Sequence, residues 1–311
     1  MKNKYGFIGC MLLILLVICV GATSFFVQNN SDRDDTGLTV VTSFYPMYIA
    51  TMNVVGEVEG VELKNLSEPQ TGCLHDFQLT PEDMKLLSKA DVFVINGGGI
   101  ESFMTEIARE YPDLWIIEAG AKVEYLKEEE NHQEEVEHEH EEANSHVWLS
   151  VENYRMEVDA IAKALAEIDS DHSLEYQKNA KIYDEKLQGL SELQEEIKEN
   201  IKGKPVVLFH EAFAYLAQDL GVETSFILNL DEERQVSAGE ISKLLTTMEE
   251  DKVNYLWAEE LYGKKLAERV MDEKKDITTI YLDPLTRGDY EADSYLKGMN
   301  QNLRGILKMI S

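Results

Sequence analysis

Positive charge is scarce in this chain: 29 Lys and Arg stand against 59 Asp and Glu, a balance of −30 over 311 residues. That excess of carboxylates argues against nucleic acid and anionic membrane surfaces as partners, because both are gripped by cationic patches. Cysteine is nearly absent. Of three, Cys10 and Cys19 fall in an N-terminal apolar stretch, so an exported body keeps only Cys73 and has no intramolecular disulfide. Neither GxGxxG nor GxxxxGK(S/T) is present, which leaves Gly97-Gly98-Gly99 as a tight strand-to-helix turn rather than a phosphate cradle. HExxH and clustered CxxC patterns are missing too, so no standard hydrolase motif is written into the chain.

What is there begins with Lys2 and Lys4 ahead of an uncharged apolar run from Gly6 to Val27. Residues 1–27 are therefore expected to be a signal peptide or a membrane anchor. Ala22-Thr23-Ser24 offers small residues for cleavage. Cys10 follows a glycine, as a lipidated cysteine should, but too little apolar sequence precedes it, and Cys19 follows Ile18. Residues 28–37, rich in Asn and Asp, form a flexible spacer.

From Leu38 the chain alternates between short apolar runs and amphipathic segments. Strands are expected at 38–44, 61–66, 91–96 and 114–118, and helices at 45–55, 81–89 and 100–110. Thr80 before Pro81 reads as a helix cap. Residues 38–170 make an N-terminal α/β lobe on this reading, including a helix at 151–168. Within that lobe the run 127–142, KEEENHQEEVEHEHEE, can bury nothing and is expected to be a mobile acidic loop. A linking helix over 171–202 has no internal proline. It would span roughly 45 Å at about 1.5 Å per residue. Residues 203–311 repeat the alternation as a second lobe, with strands at 206–209, 222–228, 254–258 and 277–282 and helices at 212–220, 239–250, 263–274 and 290–309. The fold class is α/β: two similar lobes, each a mostly parallel sheet flanked by helices, joined by a long rigid helix. Trp115, Trp148 and Trp257 are expected in the core, with Trp148 beneath the His146 loop.

The most informative stretch is KPVVLFHEAFAYLAQDLG, residues 204–221. A strand buried on both faces runs into His210, and an amphipathic helix ending at Gly221 follows. The carboxyl end of a parallel strand is where open α/β sheets bind ligands. His75 and His146 sit in similar loop positions in the first lobe, so the three imidazoles can converge on a cleft between the lobes. Three neutral nitrogens and one oxygen suit Zn²⁺. Asp283, just after a strand, is favoured for the oxygen, with Glu211, Glu259, Glu260 or a water as alternatives. Cys73, two residues from His75, is expected to be an inert thiol, and His172 a helix-end residue. His132, His138 and His140 are either solvated loop residues or a low-affinity zinc collector.

The runs HDFQLTPED (75–83) and ADVFVINGGGIE (90–101), with HVWL (146–149), FHEAF (209–213) and YLDPL (281–285), resemble the signatures of metal-binding solute receptors of ABC importers. The likeness runs from about Leu38 to the C-terminus. It implies two α/β lobes, a rigid backbone helix and a metal site between the lobes with His75, His146, His210 and Asp283 as ligands. Retention of His210, where manganese carriers generally have a carboxylate, and the acidic His-bearing loop resemble the zinc branch. The expected function is extracytoplasmic capture of Zn²⁺ and its delivery to an importer permease, without catalysis, by a monomer at the outer face of the cytoplasmic membrane. A manganese receptor, a zinc hydrolase with Glu211 as base, and an adhesion module with structural zinc are the alternatives. The chain departs from the family pattern at Ser150-Val151, at Leu74 and at Thr286, the last being where some zinc carriers draw a glutamate ligand.

Overall fold

The computed structural model of the protein describes residues 37–67, 77–127, 143–230 and 236–310. The N-terminal apolar run, His75 and the acidic run with His132, His138 and His140 lie outside the described residues.

Short β-branched runs form strands, and the most apolar ones take interior places. In the first lobe β1 (Leu38–Thr42), β2 (Val61–Asn65), β3 (Val92–Ile95) and β4 (Trp115–Glu118) lie in the order β2-β1-β3-β4, all parallel. β3 is buried at every position, as a parallel strand covered on both faces must be. α1 (Tyr45–Val55), α2 (Pro81–Leu87) and α3 (Met104–Glu110) are its helices. Thr80 and Asp83 cap α2 reciprocally, side chain to backbone, with Pro81 in the first turn.

α3 starts at Met104, four residues later than the periodicity suggests. Gly97, Gly98 and Gly99 all have positive φ, which turns the chain back after β3. Glu101 is then spent on that turn: its carboxylate accepts the N–H groups of Asn96 (2.8 Å) and Gly97 (3.1 Å) and the hydroxyl of Ser43 (2.8 Å).

The second lobe repeats the plan with β7 (Pro205–Leu208), β8 (Glu223–Ile227), β9 (Tyr255–Glu259) and β10 (Thr278–Leu282), ordered β10-β9-β7-β8 and parallel. Its helices are α6 (Ala214–Leu220), α7 (Ala238–Glu250), α8 (Glu260–Glu273) and α9 (Ser294–Ile310). Between the lobes come a two-residue antiparallel pair, β5 (Leu126–Lys127) with β6 (Ala143–Asn144), then α4 (Val151–Ile168) and α5 (Ser173–Ile201). The β5–β6 pair flanks the acidic run and carries no sequence signal of its own.

α5 buries Tyr176, Ala180, Tyr183, Leu187, Leu190, Gln194, Ile197 and Ile201, a stripe alternating four and three residues apart. That stripe packs on α1 and α4 from one lobe and on α6 and α9 from the other. One apolar core therefore runs through both lobes, from Val40 and Phe93 to Leu208, Ile280 and Leu303. Two α/β lobes joined by a long helix are thus what the chain adopts.

Trp148 and Trp257 are fully buried. Trp115 corrects its expectation: it is 63% exposed. β4 is an edge strand, and only its Ile117 turns inward. Among the described residues no helix is long and apolar enough to cross a membrane.

Candidate metal centre

His146 and His210 arrive from different lobes and meet. His146 follows β6 and opens the 3-10 turn Val147–Leu149, whereas His210 follows β7. Their ring centroids are 5.3 Å apart at an interplanar angle of 77°, and the two residues are 0% and 3% exposed. No spacing in the sequence encodes this meeting. It follows from β7 ending at the cleft and from the first lobe folding over it.

His146 is held in one tautomer. Asn144 Oδ1 accepts the backbone N–H of His146 at 3.0 Å and lies 2.9 Å from its Nδ1. Asn144 Nδ2 donates to Glu211 O at 2.9 Å, which fixes the amide with its oxygen toward the imidazole. Nδ1 must then carry the proton, and Nε2 is the nitrogen with a lone pair for a metal. Trp148 packs against the ring, centroid to centroid 5.2 Å. Trp148 is itself anchored in the second lobe, donating Nε1–H to Pro284 O at 2.8 Å and accepting the Tyr295 hydroxyl at its carbonyl.

His210 sits where the second sheet ends. Phe209 N–H continues the ladder to Trp257 O at 2.8 Å, so the next side chain emerges at the strand ends. Its Nδ1 lies 3.5 Å from Glu259 Oε2, longer than a hydrogen bond, in a pocket where Glu259 is 7% exposed.

Asp283 follows β10, whose last residue Leu282 pairs with Glu259. Asn302 of α9 clamps its backbone, accepting Asp283 N–H and donating to Asp283 O, each at 2.8 Å. Asp283 Oδ1 accepts Leu285 N–H at 2.8 Å. Burial raises the Asp283 carboxyl above the usual range, Leu285 N–H opposes this, the Glu259 charge adds to it and Arg287 offsets part. Glu259 thus lies between His210 and Asp283, a position that reading it only as an alternative ligand misses. Glu211 is buried to 9% exposure, with its backbone tied to Asn144 and Asn229. Glu260 pairs with Lys264 at 2.6 Å on an exposed helix face. Among the described residues no group of three His, Cys, Asp or Glu side chains is close enough to hold a metal, and His75 lies outside them. Cys73 also lies outside, and His172 stands at the start of α5, paired with Asp169 at 2.8 Å.

Two lobes of parallel sheet on a long shared helix, with imidazoles from both lobes in contact, have the architecture of a two-lobed ligand-binding receptor. The family described as zinc-uptake complex component A, periplasmic (ZnuA), matches residues 40–309, and the chain belongs to it. The high-affinity zinc uptake system protein ZnuA of Bacillus subtilis is 30% identical over 314 residues, covering 98% of this chain and 97% of that protein. The manganese-binding lipoprotein MntA of Halalkalibacterium halodurans is 26% identical over 311 residues, covering 97% and 98%. Among solved structures, a Zn(II)-bound AdcAII mutant variant of Streptococcus pneumoniae superposes with a TM-score of 0.73 at 26% identity, covering 89% of this chain and 100% of that one. The chain is a substrate-binding protein of a metal ABC importer and not an enzyme.

Proposed function

We propose that the protein captures Zn²⁺ outside the cytoplasmic membrane and hands it to the permease of an importer, using His75, His146, His210 and Asp283 as ligands. The observation that carries this reading is the convergence of His146 and His210 from separate lobes, with Asn144 fixing the tautomer of one and Glu259 facing the other. An imidazole-dominated shell suits Zn²⁺ better than Mn²⁺, which favours carboxylate and carbonyl oxygen. Asp283 Oδ2 supplies the oxygen beside Glu259, while Oδ1 remains on Leu285. Relatives named as lipoproteins, such as the zinc-binding lipoprotein AdcA of Streptococcus pneumoniae, support tethering at the outer face of the membrane.

Capture removes the hydration shell of the ion and replaces it with preorganised nitrogen and oxygen. Release follows small tilts of one strand-end cluster against the other, since the shared core and α5 oppose large rotation. The experiment is a competition titration of metal-free protein with Zn²⁺ and Mn²⁺. One Zn²⁺ bound per chain and retained against a large excess of Mn²⁺ is expected; preference for Mn²⁺ would make the chain a manganese carrier instead.

A further inference from the structure

Glu157 lies in the middle of α4 and is 0% exposed, and among the described residues neither of its carboxyl oxygens has a hydrogen-bond partner. Such a group is costly to keep in an apolar core, and more so as an anion. The titratable groups that interact electrostatically with it are Glu101, on the turn after β3, Tyr125 just before β5, Tyr154 on α4, Tyr215 on α6 and Tyr295 on α9. None of these is a cation, and Glu118 adds a further acidic group beside Tyr125. Burial first, and Glu101 second, drive the Glu157 carboxyl well above the ordinary carboxylate range. Glu101 itself is pushed up to about 7.

Three more buried polar atoms have no hydrogen-bond partner among the described residues: the Tyr125 hydroxyl, Asn96 Oδ1 and the Ser145 hydroxyl. They form a connected set. Tyr125 is pressed against Gly98 and Gly120, where a Cβ would lie 2.3 Å and 2.5 Å from its ring and hydroxyl. Asn96 Nδ2 donates to Ser145 O at 2.9 Å. Tyr125 and Ser145 bracket the β5–β6 pair, one residue before it and one after. The pair is pinned by the Tyr215 hydroxyl, which accepts Leu126 N–H at 2.9 Å and donates to Asn144 O at 2.6 Å. Asn144 in turn orients His146.

We propose that Glu157 is a proton-binding site of the folded protein whose occupancy is transmitted, through Tyr125 and the β5–β6 pair, to the placement of His146. In the neutral state the acid is tolerated in the core. When it gives its proton to solvent, the bare carboxylate draws on the hydroxyls around it and repels Glu101, and the pair that holds Asn144 shifts. A group that holds in the folded state a proton the unfolded chain has lost makes stability fall as pH rises.

The test uses the full chain, as wild type, Glu157→Gln and Glu157→Leu. Metal-free thermal melts at pH 6 to 8.5 do not depend on which metal is carried, so they separate this proposal from the zinc assignment. The expected result is that both neutral variants gain in Tm over wild type, by several degrees at pH 8.5 and by much less at pH 6. Zn²⁺ titrations, which do rest on that assignment, should show wild-type affinity dropping several-fold relative to Glu157→Gln as pH is raised through the ionisation that the melts reveal. Parallel melting curves overturn the proton site, and a constant affinity ratio overturns the transmission to His146. Loss of folding in both variants also overturns it, because a neutral acid is then not what the core requires.

Discussion

Nδ1 of His210 faces Oε2 of Glu259 at 3.5 Å, across adjacent parallel strands two residues beyond the paired Leu208 and Trp257. The register of β7 and β9 sets this pairing, so a carboxylate backs the imidazole wherever the sheet is intact. A metal-bound histidine usually gives its second N–H to such an acceptor, which raises its basicity and fixes its ring. Glu259→Gln should therefore weaken Zn²⁺ binding by about 10–100-fold. Titration calorimetry of the folded variant checks this; unchanged affinity would make Glu259 a bystander.

Asn144 does the same for His146 with an amide. Asn144→Ala removes the acceptor for Nδ1 and the donor to Glu211 O. We expect a loss of affinity of about 10–100-fold, with the far-ultraviolet circular dichroism unchanged. Asn144→Asp keeps the acceptor and should recover part of the loss.

Affinity should fall steeply as pH drops below about 6, because an imidazole must be neutral to bind metal. Asp283 adds to this loss. Its carboxyl is raised by burial and by Glu259, so it takes up a proton at higher pH than an ordinary aspartate and, on the proposed ligand set, would stop coordinating earlier as pH falls. In metal-free protein the sign reverses: a raised acid contributes stability below the unfolded value that is lost as pH rises through the folded one. Zinc affinity measured from pH 5 to 7.5 should show uptake of more than one proton per ion released, and tight binding unchanged at pH 5 would contradict the ligand set.

Leu187 is fully buried on α5 in the core that both lobes share. Leu187→Ala should cost about 2–5 kcal/mol. Urea denaturation should still show one transition, because the smaller second-lobe cluster around Val207, Phe226 and Leu256 lies on the same strands that the shared core holds. Two separated transitions would mean that the lobes are energetically independent.

Much of the architecture was legible because burial on both faces leaves a plain mark. Val92–Ile95, followed by Asn96 and three glycines, and Pro205–Leu208, preceded by Gly203, are short apolar runs, and both became interior strands. Trp115 was not legible: an aromatic in a strand reads as core, and only sheet order reveals that β4 is an edge. The late start of α3 was hidden for a similar reason, since Glu101 looks like a first-turn helix residue until its carboxylate is seen closing the glycine turn. At the metal centre His210 stood out by its position after a strand, and His146 through its resemblance to a known motif. Asn144 could have been flagged as a short polar side chain two residues before a histidine. Glu259 needed the strand register before its relation to His210 could be seen.

The central claim is that His146 and His210, from separate lobes, bind the same ion. A double-mutant cycle with His146→Ala, His210→Ala and both together, each titrated with Zn²⁺, tests it most directly. The account predicts one tight site per chain in the wild type, most of the affinity lost in either single variant, and little further loss in the double. Full-affinity binding by either single variant, or losses that simply add, would contradict it.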